Sequence, residues 1–197
     1  FFAVNSTEKV SKEDRTLRIG YMANLSLSKG IDVFLETLTE LKRHGFAFEA
    51  VVAGPCHDPA LNARLDEACV EMPELRYLGG LYGEEKNLFF ARLDYFIYPS
   101  RNEAEPLVIY EAAAEGAYIL SSEVGCMKAS ARLLRGWSTP LTSAATWANA
   151  ASTHLIQSAS AMTVSSRRNR KAVFQSFAAE ARADLDRLTK DIMNAAA

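Results

Sequence analysis

The sequence predicts an α/β fold, with a doubly wound parallel sheet and helices on both of its faces. Short apolar runs, typical of buried strands, alternate along the chain with longer segments in which apolar residues recur every three or four positions, typical of amphipathic helices. Each return to a parallel strand needs a crossover of about this length, and helices must cover both faces of such a sheet. The chain has 197 residues, 49% hydrophobic and 23% charged, which is ordinary for a globular protein and enough for one compact domain.

The first unit of this alternation is a strand, a loop and a helix. Residues 17–22 (LRIGYM) form a short apolar run, and the serine-rich loop of residues 23–29 follows it. After Gly30, apolar residues recur at spacings of three and four from Ile31 to Leu41. This spacing predicts a helix that ends shortly after Leu41. Regular structure therefore starts with a β–α unit.

The same alternation continues through the middle of the chain. Apolar runs bounded by glycine or proline alternate there with helical segments. In chain order, the predictions are a strand at 46–53, a helix at 59–70, a strand at 75–78, a helix at 84–92 and a strand at 94–98 (DYFIY).

The next predicted helix carries a glutamate among apolar residues. Pro106 suits its first turn, because the N–H that proline lacks would be unpaired there. In the stretch NEAEPLVIYEAAAEG, apolar residues occupy nearly every direction of the helical wheel, so we expect a buried helix with Glu111 near its middle. A buried carboxylate without a partner is costly. Either a protein donor or a ligand must therefore satisfy Glu111.

The last third of the chain completes the organisation. A strand is predicted at 118–121 and a helix at 144–158, whereas residues 125–141 show no clear pattern. A long amphipathic helix follows, with apolar residues from Phe174 to Ile192 on one face. We divide the chain into a lead segment at 1–16, a Rossmann-like domain at 17–165 and a C-terminal helix at 166–197.

Composition excludes several classes of protein. The formal net charge of −2 gives no basic footprint for nucleic acid, and the apolar runs fall short of the ~20 residues of a membrane span. Cys56, Cys69 and Cys126 are widely spaced and form no Cys-x-x-Cys pattern, which argues against disulfides or a zinc site. We expect a soluble protein of the cytoplasm. Since the sequence has no initiator Met, we also expect it to be part of a longer chain.

Two loops follow strands at the edge where parallel sheets bind ligands: residues 23–30 and 99–106. Lys29 precedes a helix N-terminus, where its ammonium and the free N–H groups can bind phosphate; an exposed lysine is the alternative. Glu103 and Glu111 can face one pocket, and carboxylates accept hydrogen bonds from the hydroxyls of a sugar. The alternatives are a surface charge for Glu103 and a paired core carboxylate for Glu111.

The stretch PSRNEAEPLVIYEAAAEG resembles the signature of retaining glycosyltransferases of the GT-B fold, of the family four or group one type. Those enzymes carry Pro-Ser-x-x-Glu, then Glu-Ala after seven residues, then a small residue and Gly. The segment ANLSLSKGID is similar to their Gly-Arg-Leu-x-x-x-Lys-Gly segment, and SSEVGC resembles the loop after the next strand. The resemblance covers about residues 17–126. It implies two Rossmann-like halves, of which this chain matches the C-terminal, donor-binding half.

The resemblance also implies roles for individual residues. Lys29, beside Gly30, would hold the diphosphate of a nucleotide sugar, Glu111 its ribose hydroxyls, and Leu81 would lie against its base. Glu103 would be the catalytic residue, acting by position and charge on the transferred sugar. The residues that would hold that sugar with Glu103 are Ala104, Glu105, Pro106 and Leu107. Since Lys29 and helix N-termini would stabilise the departing diphosphate, no cofactor and no metal is expected.

Two positions depart from the family pattern. Asn24, which the resemblance places in the donor-binding site, stands where the family usually has arginine and so removes one expected phosphate-binding charge. Glu105-Pro106 replaces Phe-Gly, although Pro106 cannot donate an N–H. The resemblance implies transfer, with retention, to a glycan or lipid-linked acceptor in polysaccharide biosynthesis.

The partner implied by the resemblance is a missing N-terminal half that binds the acceptor. The helix at 166–197 would pack on the domain or on that half, and any contact with the inner face of the membrane would come through that half or the acceptor. Without that half, the chain is expected to be inactive. A non-catalytic nucleotide-binding or interaction module and a nucleotide-sugar epimerase remain alternatives.

Overall fold

The structure is a computed structural model that describes the backbone of residues 16–195 and the side chains of residues 16–187. Strands and helices alternate throughout this part of the chain. The strands are β1 (Leu17–Met22), β2 (Phe48–Ala53), β3 (Leu75–Tyr77), β4 (Tyr95–Tyr98), β5 (Tyr118–Ser122) and β6 (Trp137–Thr139). The helices are α1 (Ile31–Arg43), α2 (Pro59–Glu71), α3 (Gly83–Ala91), α4 (Leu107–Ala114), α5 (Met127–Leu133), α6 (Ala144–Ser158) and α7 (Val164–Ala195).

The strands form one parallel sheet in the order β3-β2-β1-β4-β5-β6. The chain winds outward from β1 to β3, crosses through α3 to β4 on the other side of β1, and then winds outward again. The strand order therefore reverses between β1 and β4, the place where doubly wound sheets bind ligands. The predicted α/β fold class is confirmed.

The core lies on the central strands. All four residues of β4 and five of the six residues of β1 are buried, as expected for parallel strands that are covered on both faces. Tyr21, Phe34, Phe96 and Tyr98 form a chain of ring contacts with Phe90 under the carboxyl ends of these strands. This aromatic layer forms the floor beneath the loops that follow β1 and β4.

Several element boundaries differ from the prediction. β1 and α6 match it, whereas β2 starts at Phe48 rather than at residue 46. The unpatterned segment 125–141 contains α5 and β6, which were missed. α5 has seven residues and β6 has three, of sequence WST, so neither is long enough to show a period.

Pro106 lies just outside α4, contrary to the prediction that it belongs to the first helical turn. Its backbone is extended (φ −81°, ψ 110°), and the helix starts at Leu107. Pro106 is therefore the N-cap residue, and its side chain cannot cap the helix.

The C-terminal helix α7 is anchored at its start. Arg167 donates hydrogen bonds to the carbonyls of Glu115 and Phe90, which lie at or near the ends of α4 and α3, and Arg170 donates to the carbonyl of Gly116. Cations are favourable at helix C-termini. From the predicted apolar stripe of α7, Leu188 and Ile192 lie outside the described side chains, and Leu185 is exposed. Most of the predicted lead segment, residues 1–15, also lies outside the described residues.

Candidate functional site

A groove of about 540 Å³ opens at the carboxyl ends of β1 and β4, at the reversal of strand order. Its volume is typical of small-molecule sites. Most of the residues predicted as a binding site line it: Asn24, Lys29, Leu81, Glu103, Glu105, Pro106 and Leu107. Gly30, Ala104 and Glu111 are not among its lining residues. The two loops that the sequence predicted to bind a ligand, residues 23–30 and 99–106, thus meet at this groove.

The backbone of Lys29 is fixed from three sides. Its N–H is bonded within a single turn of 3₁₀ helix (Leu27–Lys29) that Ser26 caps, and its carbonyl accepts a hydrogen bond of 2.9 Å from the Tyr21 hydroxyl. Gly30 follows with a φ of 79°, and a Cβ there would lie 1.9 Å from the carbonyl oxygen of Pro99. Glycine is needed at this position both for the left-handed backbone and for the close approach of the second loop.

Arg101 ties the loop after β4 to the loop after β1. Its Nη1 and Nη2 atoms donate to the two oxygens of Asp32 at 2.7 and 2.8 Å, and Nη1 also donates to the carbonyl of Leu27 at 2.6 Å. The Arg101 N–H donates to the carbonyl of Ser28 at 2.8 Å. Bidentate pairs of this kind fix geometry as well as charge. The loops after β1 and β4, which form the two walls of the groove, are therefore fixed relative to each other.

The Glu103 carboxylate accepts two hydrogen bonds from side chains that line the groove. Its Oε2 accepts from the Lys29 ammonium at 2.6 Å and from the Tyr98 hydroxyl at 2.8 Å. Burial alone would raise the pKa of Glu103, but the hydrogen bonds from Lys29 and Tyr98 and the charge of Lys29 lower it below the ordinary value. Burial, with the neighbouring Glu103 charge, raises the pKa of Tyr98 well above its ordinary value, so Tyr98 stays a donor.

Glu111 is neither buried nor without a partner. Its side chain is 42% exposed, and its Oε1 accepts from the Lys86 ammonium at 2.7 Å. The expectation of a helix buried all round was wrong, because α4 buries Ile109, Ala112 and Ala113, whereas Leu107 is 72% exposed. A protein donor therefore satisfies Glu111. This is one of the two alternatives that the sequence left open, the other being a ligand.

Sequence reasoning missed Tyr98 and Lys86, which both line the groove. Tyr98 is the last residue of β4, so its position at the carboxyl end of a strand was a usable signal. Lys86 lies on α3, far along the chain from Glu111, and the sequence contains no pattern that pairs them. The charged residues among those lining the groove are Lys29, Lys86, Glu103 and Glu105.

The N-terminus of α4 opens onto the same groove. Leu107 and Val108 begin the helix and line the groove, and the first N–H groups of a helix have no partner within it. Such N–H groups and the positive end of the helix dipole favour anions. Together with Lys29, they can receive the negative charge of a phosphorylated ligand.

The described residues contain neither a metal-binding cluster nor a membrane-spanning helix. No group of three or more His, Cys, Asp or Glu side chains there is arranged to hold a metal ion. Over the same part of the chain, every helix is too short or too polar to span a bilayer.

Comparison with known families gives one match that covers most of the chain. The family model described as "Glycosyl transferases group 1" matches residues 16–157. No curated protein sequence matches the chain.

Solved structures with the same fold come from several organisms. HepE from Anabaena, in complex with UDP-glucose, has a TM-score of 0.64 and 18% identity over 82% of this chain and 44% of that chain. The sucrose-phosphate synthase of Thermosynechococcus elongatus has a TM-score of 0.69 and 18% identity over 94% of this chain and 47% of that chain. The C-terminal domain of LpcC from Francisella tularensis has a TM-score of 0.64 and 19% identity over 81% of this chain and 85% of that chain.

At these identities the likeness shows the fold. The chain spans less than half the length of the HepE and sucrose-phosphate synthase chains, at 44% and 47%, but 85% of the isolated LpcC domain. It is therefore similar in extent to one domain of such proteins.

Proposed function

The chain belongs to the glycosyl transferases group 1 family, and from that premise we propose that it is the donor-binding half of a retaining glycosyltransferase. The enzyme transfers a sugar from a nucleoside-diphosphate sugar to a glycan or lipid-linked acceptor in polysaccharide biosynthesis. The acceptor is held by a second, N-terminal half, and the reaction takes place in the cytoplasm or at the inner face of the membrane.

The observation that carries this proposal is the meeting of Lys29, Glu103 and the α4 N-terminus in one groove at the reversal of strand order. An ammonium and free helix N–H groups are suited to a diphosphate. A neighbouring carboxylate is suited to the hydroxyls of a sugar. A nucleotide sugar joins both of these chemical parts in one molecule.

These residues support sugar transfer by stabilising charge. As the bond between the sugar and the diphosphate breaks, negative charge grows on the phosphate oxygens, and Lys29 with the first N–H groups of α4 stabilises it. Glu103 faces the sugar, on which positive charge develops, and favours that charge through its own negative charge. Lys86 orients Glu111, and Glu111 in turn accepts from the ribose hydroxyls; Leu81 supports the base.

Calorimetric titration with UDP, GDP, ADP and their common sugar conjugates tests the proposal. We expect one base to bind selectively, and Lys29→Ala and Glu111→Ala to weaken that binding by about tenfold or more, since each loses a hydrogen bond to a charged group. Lys42→Ala is the matched control, because Lys42 pairs with Glu74 outside the groove. Absence of binding at millimolar concentrations of every ligand would exclude a donor site.

One set of observations favours the second candidate, a non-catalytic module. Lys29 and Lys86 each already have an acidic partner, Asn24 adds no charge, and Pro106 adds no N–H donor. If this module were the function, the titration would show no selectivity among nucleotides and no difference between the wild type and Lys29→Ala.

A further inference from the structure

We propose that Tyr98 is a positioning residue, which holds the Glu103 carboxylate in place when Lys29 leaves it for the diphosphate of a bound donor. The proposal rests on the proposed function of the groove. It concerns what happens to the ion pair between Lys29 and Glu103.

The two donors to Glu103 differ in their freedom to move. Lys29 has a flexible side chain that is 29% exposed. Tyr98 is 3% exposed at the end of β4, and its ring lies between those of Tyr21 and Phe96, with centroid distances of 6.3 and 6.1 Å. A ligand can therefore draw away the lysine, whereas the core holds the tyrosine in place.

A bound diphosphate competes with Glu103 for Lys29. It carries more negative charge than one carboxylate, and it lies against the same side chain if the groove is a donor site. The backbone of Lys29 stays fixed by the hydrogen bond from Tyr21 to its carbonyl. Binding therefore requires only a rotation of the lysine side chain about a fixed backbone.

Once Lys29 has turned away, Glu103 is left with an unfavourable environment. Its side chain is only 13% exposed, the ligand brings negative charge, and Glu105 lines the same groove. Lys86, the other cation that lines the groove, is bonded to Glu111. A carboxylate in such a place takes up a proton or moves unless a donor remains. The Tyr98 hydroxyl, which donates to the same Oε2 atom as Lys29, is the side-chain donor that remains, beside the backbone N–H of Ala104.

The first experiment is a titration of the ligand-free protein. Carboxyl ¹³C NMR follows the Glu103 resonance, assigned by its loss in Glu103→Gln. We expect Tyr98→Phe to raise the pKa of Glu103 by about one pH unit, the equivalent of one hydrogen bond to a charged group. Tyr95→Phe is the matched control, since Tyr95 lies on the same strand and its hydroxyl is bonded to Ser158 instead. An unchanged Glu103 pKa in a folded Tyr98→Phe protein would overturn the proposal.

The second experiment repeats the titration with a saturating amount of whichever of UDP, GDP and ADP binds best. We expect the ligand to raise the pKa of Glu103 in both proteins, and clearly more in Tyr98→Phe than in the wild type. The corresponding nucleotide sugar should lose about five- to tenfold in affinity in Tyr98→Phe. That loss should disappear when Tyr98→Phe is combined with Glu103→Gln, because a positioning residue acts through the group it holds.

The outcomes separate this inference from the proposed function. Binding by the wild type with equal ligand-induced shifts in both proteins would overturn the role of Tyr98 and leave the donor site intact. The role of Tyr98 would also be overturned, with the donor site intact, if Tyr98→Phe weakened binding of the nucleotide sugar equally in the wild type and in Glu103→Gln. No binding by the wild type would overturn the donor site and, with it, the transfer of Lys29 to a ligand.

Discussion

The two lysines that line the groove are each paired with a carboxylate. Lys29 is bonded to Glu103, and Lys86 to Glu111. Because each cation is neutralised by its neighbour, the groove has little excess positive charge with which to attract a diphosphate. The identity of Asn24 therefore matters, since the family resemblance implies an arginine at this position.

We predict that Asn24→Arg increases the affinity for nucleoside diphosphates. Asn24 is exposed and lines the groove, so a guanidinium fits there without burial and adds a fork of donors suited to phosphate. The expected gain is about 1–2 kcal/mol, or roughly five- to thirtyfold in the dissociation constant measured by calorimetry. Asn62→Arg on α2 is the control for charge alone. An equal gain in the control would assign the effect to net charge rather than to a contact in the groove.

The Glu103 carboxylate also links stability to pH. Its pKa is lowered in the folded protein, so the folded state is stabilised by its ionised form above the ordinary glutamate pKa of 4.5, and this stabilisation is lost as the pH falls through the lower folded-state pKa. Glu103→Gln cannot ionise. We therefore expect Glu103→Gln to unfold more easily than the wild type at pH 7, and the difference to shrink below about pH 4.5.

Urea unfolding of both proteins between pH 7 and pH 3 measures this difference in the free energy of unfolding. Other acids titrate equally in the two proteins and cancel. Glu180→Gln on the exposed part of α7 should show no such pH-dependent difference. A difference for Glu103→Gln that stayed constant over the whole range would mean that the ion pair does not stabilise the fold.

The loops are the elements that turn separate residues into a site. Sequence patterns predicted both loops, because each follows a strongly apolar strand and ends at a glycine or a proline. They did not predict the clamp of Arg101 on Asp32 and Leu27, which joins residues about seventy positions apart. Sequence patterns also overestimated the burial of α4. The apolar residues of LVIY predicted burial on all sides, whereas Leu107 is exposed and lines the groove. Local sequence patterns predict the secondary-structure elements, whereas tertiary packing decides which face of each element is exposed.

We predict that Arg101→Lys loosens the two loops although it keeps the charge. A lysine cannot bond both oxygens of Asp32 in one plane and reach the Leu27 carbonyl as well. The expected loss is about 1 kcal/mol in the free energy of unfolding, small because the pair is partly exposed, and several-fold in nucleotide affinity. Arg43→Lys, whose partner Glu40 lies one turn earlier on α1 and away from the groove, should change neither quantity. Unaltered nucleotide affinity in Arg101→Lys would show that the loops keep their geometry without this clamp.

At the scale of the whole molecule, the sequence predicted more of the site's location than of its contacts. The alternation of strands and helices fixes a doubly wound sheet, and that topology places the loops after β1 and β4 side by side. Lys29 and Glu103 could therefore be assigned to one groove. Lys86 could not be assigned, because its pairing with Glu111 depends on how α3 packs on α4. Tyr98 could have been placed at the groove from its position at the end of β4, but its bond to Glu103 depends on the direction of its side chain.

The aromatic floor couples this groove to the stability of the entire sheet. Tyr21 and Tyr98 bond Lys29 and Glu103 with their hydroxyls, and their rings belong to one hydrophobic core that extends over both sides of the strand-order reversal. A ligand that binds only when the loops and this floor are folded must therefore stabilise the whole sheet, not merely its own loops.

We consequently predict that the chain unfolds thermally in one main transition, which the preferred nucleoside diphosphate shifts upward as a unit. At a hundredfold excess over the dissociation constant, binding adds about 2.7 kcal/mol, which corresponds to a rise of roughly 5–10 °C in Tm for a domain of this size. Differential scanning calorimetry measures both the shift and the ratio of van't Hoff to calorimetric enthalpy, which should be near one. Lys29→Ala should unfold with the same ratio and a much smaller shift. Two transitions, of which the ligand moved only one, would mean that the groove and the rest of the sheet are separate folding units.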